Sequence, residues 1–246
     1  MTGAAEEILR RHRGVTIAGL IALVALAWAW IASGAGMKMD AGMGMNMPMP
    51  WDATRILLTL AMWWVMMVAM MVPAAAPTVL LYAKSAQPPH SGAFLAGYLL
   101  CWFGFSIVAV ALQFALEEAG RLSHMDMALS NPWLAGGLVI AAGLYQFSPL
   151  KSRCLAHCRS PAHWLSRHYR PGQMGALRMG LSHGAFCVGC CWMLMLLLFV
   201  LGVMNLAWIA ALTLLVAAEK LLPRGDIIAR VGGALFIAWG AALALG

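Results

Sequence analysis

Charge is what this sequence has little of. Asp, Glu, Lys and Arg make up 10% of its 246 residues, against about a quarter in an ordinary soluble domain. With 63% of the residues apolar, there is too little polar surface to face water. No stretch is long enough to bury a soluble core of its own. Paired carboxylates and an activated serine set are also missing, so an enzyme acting alone is the least supported reading. An internal repeat is missing too, which argues against an inverted-repeat transporter. What remains is a single membrane domain over 1–246, an all-α polytopic bundle of about seven transmembrane helices.

Hydropathy places those helices near 15–33, 54–80, 92–116, 132–150, 179–201, 206–222 and 227–246. With the N-terminus cytoplasmic, thirteen Lys and Arg residues fall inside: Arg10, Arg11, Arg13, Lys84, Lys151, Arg153, Arg159, Arg167, Arg170, Arg178, Lys220, Arg224 and Arg230. Only Lys38, Arg55 and Arg121 fall outside. Translocating basic residues is disfavoured, so this bias orients the chain in a bacterial inner membrane. The net charge of +7 then reports topology and contact with lipid headgroups, and nucleic-acid binding is not needed to explain it. The first segment has a basic front and small residues at Ala32-Ser33-Gly34, as a signal peptide would. Its apolar run of about 18 residues exceeds the usual signal core, which favours a retained helix. Residues 34–53 form a Met-rich outside loop, 54–246 a six-helix core, and 151–178 a basic inside loop.

Methionine is the first anomaly. The first outside loop holds Met37, Met39, Met43, Met45, Met47 and Met49, and the second adds His124, Met125 and Met127. A thioether is a soft, neutral donor that needs no deprotonation and selects Cu(I) over harder ions. Ordinary Met packing accounts poorly for unbranched sulfurs crowding a loop of Gly, Asn and Pro. In the second span, Met62, Met66 and Met70 fall within an arc of about 80°. They can act as a ladder of sulfurs running inward, although a Met stripe at helical spacing is also common packing material.

The fifth span carries the sharpest constellation. His183, Cys187, Cys190 and Cys191 occupy about 100° of one helical wheel. Polar, soft side chains clustered inside a membrane helix mark a functional site by default. Imidazole and thiolate together suit Cu(I), Zn(II) or an iron centre. Cys187-Val-Gly-Cys190 is followed by Cys191 where c-type haem attachment requires His. After the fourth span come Cys154, His157 and Cys158; one further helical turn there would stack the two thiols, with His157 beside them. All eight loop methionines of the Met clusters lie outside and no cysteine lies in an outside loop. Thioethers form no disulfides and thiols persist in a reducing compartment, so a protein handling a soft metal would divide its ligands this way. Glu219-Lys220 reads as an intramembrane or an interfacial pair, with snorkelling towards the inner surface the favoured reading. His12, His90, His163 and His168 read as surface residues.

The segments Met66-Met67-Val-Ala-Met70-Met71-Val-Pro73, Cys154-Leu-Ala-His157-Cys158 and His183-Gly-Ala-Phe-Cys187-Val-Gly-Cys190-Cys191-Trp192 together resemble an uncharacterised bacterial family of predicted metal-binding integral membrane proteins. The resemblance runs from about residue 54 to the end. It implies a metal site within the membrane and leaves the metal and its direction of movement open. The later spans also look distantly like the transmembrane domain that carries thiol electrons for cytochrome c maturation. That likeness would require Cys187 or Cys190 to pair with Cys154 or Cys158. The expectation is therefore a copper(I)-handling protein that captures the ion outside and passes it to an inner Cys/His site, with the bilayer and the metal ion as partners. A periplasmic metallochaperone or a larger membrane copper enzyme would be its protein partner. The alternatives are a thiol–disulfide electron carrier and a non-catalytic membrane partner that stabilises or loads a larger copper enzyme.

Overall fold

The computed structural model describes residues 2–34, 51–85, 90–123 and 127–245. They form ten helices: α1 (Thr2–Ala32), α2 (Ala53–Ser85), α3 (His90–Glu118), α4 (Pro132–Gln146), α5 (Pro149–Arg159), α6 (Pro161–His168), α7 (Gly172–Leu196), α8 (Leu198–Leu201), α9 (Leu206–Leu221) and α10 (Gly225–Leu245). Among the described residues there is no strand; the one β-bridge pairs Leu122 with Leu129. The all-α expectation holds.

Five helices (α1, α2, α3, α7 with α8, and α10) are long and apolar enough to cross a membrane, and the bent pair α4–α5 makes a possible sixth. The seventh predicted span is α9. Its 16 residues rise only about 24 Å, less than the roughly 30 Å hydrocarbon core.

The fourth span departs from its predicted extent. The helix stops at Gln146 and restarts at Pro149, turned through 61°. Proline cannot donate to the preceding turn and disfavours helical geometry at the residue before it. Ser148 therefore caps a new helix, its Oγ accepting from the Lys151 amide at 3.0 Å. The bend lays α5 along α7. The segment expected as a basic inside loop, 151–178, instead holds α5, α6 and the start of α7.

α3 packs closely on α7, and α4 on α10. The first pair meets at glycines: a Cβ on Gly180 would stand 1.9 Å from the Phe94 carbonyl oxygen, and one on Gly97 would stand 2.1 Å from that of Leu177. Small residues let helix backbones approach where lipid supplies no hydrophobic drive between them. α2, whose Met62, Met66, Met67, Met70 and Met71 are all at most 1% exposed, forms the centre of the core.

Candidate metal centre

The spacing of Cys187, Cys190 and Cys191 puts three thiols on the face that α7 turns inward, and each is 1% exposed. The Cys190 and Cys191 thiols both donate to the Cys187 carbonyl, at 3.1 and 2.8 Å. Because α5 is bent onto α7, Cys158 lies near the Cys187 and Cys190 thiols. Gly189 permits that approach, since a Cβ there would meet Cys154 Sγ at 2.9 Å. From α2, Met71 Sδ accepts from the Cys191 thiol at 3.8 Å. Five sulfurs from three helices thus gather in one place, four of them buried and that of Cys158 half-buried.

Two polar groups complete it. The Tyr98 hydroxyl on α3 donates to the Met71 carbonyl at 3.1 Å and lies 3.0 Å from Cys187 Sγ. Lys220 Nζ on α9 donates to the same sulfur at 2.8 Å. An ammonium has donors only, so Cys187 sulfur is the acceptor. The expectation that Glu219 and Lys220 snorkel outward is corrected here: they are 2% and 7% exposed. Both side chains turn into the bundle, where Glu219 meets Lys151 and Gln146 and Lys220 meets Cys187. Glu219 accepts from Lys151 at 2.6 Å and from Gln146 Nε2 at 2.9 Å. Lys151, expected in the inside loop, is itself 1% exposed.

Residues 60–243 match the family described as copper chaperone, PpoB2. The protein belongs to this copper-chaperone family. No curated protein and no solved structure matches the chain. The family match begins after the Met-rich segment and takes in every cysteine.

In this member of the copper-chaperone family the predicted ligands separate into groups. Cys158, Cys187, Cys190 and Cys191 come together; Cys154 lies beside them against Gly189. His183, 2% exposed, makes no hydrogen bond to a thiol; Phe94, Tyr98 and Trp164 surround its ring. His157 stacks on Phe186 at 3.8 Å between centroids. Met62, Met66 and Met70 are core residues, and Met71 is the thioether that touches a thiol. Met127 lies towards the opposite end of the bundle, its sulfur 3.8 Å from Gln113 Nε2. Met37, Met39, Met43, Met45, Met47, Met49, His124 and Met125 lie outside the described residues.

Among the described residues no three His, Cys, Asp or Glu side chains are already arranged around an ion-sized point. The reason is visible in the thiols. Two of them turn back to the Cys187 carbonyl, a bond each gives up when it loses its proton to become a ligand. Sequence reasoning missed Met71, Tyr98 and Lys220 as parts of the centre. A Lys inside an apolar helix was the one available signal for any of them.

Proposed function

We propose that this chain is an integral membrane copper(I)-binding protein acting in metal transport or delivery. It captures the ion at the Met-rich segment holding Met37 to Met49, with His124, Met125 and Met127, and passes it to the buried Cys/His region. The observation that carries this reading is the sulfur cluster of Cys158, Cys187, Cys190, Cys191 and Met71. A thioether among thiols favours Cu(I) over Zn(II) or iron, because soft donors suit the softer ion.

Charge supports it. Binding follows Cu⁺ + 2 RSH → [Cu(SR)₂]⁻ + 2 H⁺, so a two-thiolate complex carries one negative charge. Lys220 brings one positive charge to Cys187, and the Lys151–Glu219 pair is internally balanced. The loaded centre is then neutral overall, which a low-dielectric interior tolerates far better than an isolated ion. Thioethers bind as neutral donors and thiolates as charged ones, so an ion moving from the loop to the cluster moves towards stronger ligands. A metallochaperone at the Met-rich face, or a larger copper enzyme, would be the partner at either end.

The test is metal content by mass spectrometry after anaerobic, reducing purification, compared for wild type, a deletion of 37–49 and Cys187→Ser/Cys190→Ser. Copper should fall in stages across the two variants. Wild-type protein that binds no more Cu(I) than the thiol variant would end this reading. The approach of Cys158 to Cys187 and Cys190 from a different helix favours a second reading, a thiol–disulfide carrier. Alkylation trapping would then find Cys158 linked to Cys187 or Cys190 in cells.

A further inference from the structure

Five buried side-chain polar atoms have no hydrogen-bond partner among the described residues, and three of them are His157 Nε2, His183 Nδ1 and the Nε1 of Trp164, whose ring packs against both imidazoles. The Trp164 ring centroid is 5.4 Å from that of His157 and 5.6 Å from that of His183. Trp164 is 3% exposed and belongs to α6, which packs on α2 and α5. Phe186 under His157, with Phe94 and Tyr98 beside His183, supplies apolar walls.

A buried polar atom without a partner is costly, and native proteins keep few of them. The three atoms gathered here are two imidazole nitrogens and one indole N–H. An imidazole nitrogen that receives no hydrogen bond has, in one tautomer, a lone pair free for a metal. Two such nitrogens beside apolar walls suit an ion content with two donors, and imidazole is a good ligand for copper. The indole N–H has no lone pair to give, so Trp164 serves as wall and cover.

We propose a second copper(I) station, held by His157 Nε2 and His183 Nδ1 and separate from the sulfur cluster. It rests on the reading of the chain as a copper carrier. His183 stands one helical turn from Cys187, so an ion leaving the thiolates has the imidazoles as its next donors. Covered by α6, they form the side of the centre nearest the α5–α6 end of the bundle.

The test is copper K-edge X-ray absorption on purified full-length protein carrying no histidine tag, loaded anaerobically with one and then further equivalents of Cu(I). Wild type should show sulfur scattering first and imidazole nitrogen scattering at higher loading. His157→Phe/His183→Phe keeps both rings and their stacking. It should retain the sulfur signal, lose the nitrogen signal and bind one equivalent less. Cys187→Ser/Cys190→Ser should do the reverse and keep the nitrogen signal. Sulfur-only scattering of wild type at every loading would overturn the station, the three atoms then being bridged by a water molecule. Loss of both signals in either double variant that still elutes and melts as folded protein would also overturn it, since one mixed site would then account for all the copper. Because wild type is read directly, a misfolded variant leaves the station testable. Copper unaffected by the thiol variant would count against the sulfur cluster alone.

Discussion

The two ends of the bundle both carry buried polar networks, built to opposite rules. Near Trp51 and Met127, Glu117 accepts from Arg55, from Trp51 Nε1 at 3.1 Å and from Gln113 Nε2 at 2.9 Å. Gln113 Oε1 accepts from Trp63 Nε1 at 2.8 Å, and its amide nitrogen also reaches Met127 Sδ. The Arg55 guanidinium lies 4.4 Å from the Trp51 ring centroid. Every polar side chain in that set is partnered. The half containing α5 and α6 instead keeps His157, His183, Trp164 and Gln146 each one partner short. It also gathers thiols whose protons point at a backbone carbonyl. A saturated network holds helices together and asks for nothing more. An unsaturated one, in a bundle able to saturate the other, retains donors for a ligand.

The comparison is broken most severely at the one part of the second region that is structural. Removing Glu219 by Glu219→Ala leaves Lys151 charged and buried, at a cost of about 3–5 kcal/mol. Thermal or denaturant unfolding in detergent should show that loss, and Lys151→Met/Glu219→Leu should recover most of it. A wild-type transition in Glu219→Ala would mean that water reaches the pair. Next comes Gln113→Leu, which strands the Trp63 indole N–H and should destabilise by about 1–3 kcal/mol. Its copper content should equal wild type; copper loss there would erase the functional contrast between the two networks. Lys220→Met should act the other way round. It removes the countercharge beside Cys187 and should weaken Cu(I) binding about tenfold or more, equivalent to about 1.4 kcal/mol, measured by competition with a Cu(I) chelator. Unchanged affinity would show that the bound complex carries no charge for Lys220 to offset. The smallest effect is expected from Met127→Leu, a near-isosteric swap worth under about 1.5 kcal/mol. A larger shift in melting temperature would mean that the sulfur contact to Gln113 holds this segment in place.

Much of this was legible in the residues themselves. Cys187, Cys190 and Cys191 had to share a face at helical spacing whatever surrounded them, and the scarcity of charge required membrane-scale helices. Ser148-Pro149 was a readable break that hydropathy averaged away, because an apolar window does not register the loss of one amide donor. Lys151 and Lys220 were misplaced for a different reason. A long basic side chain near a helix end normally reaches for the interface, and only a neighbouring anion or sulfur reverses that preference.

Composition and period thus determined the all-α architecture and which face of α7 carries sulfur, because those follow from local geometry and solvent. Which α2 thioether meets the thiols, that Cys158 joins them across helices, and that Lys220 faces Cys187 were decided by tertiary structure. The helical period selects a face, but the neighbour opposite that face depends on crossing angles, set here by glycines at the α3–α7 contact and by the proline-induced bend before α5.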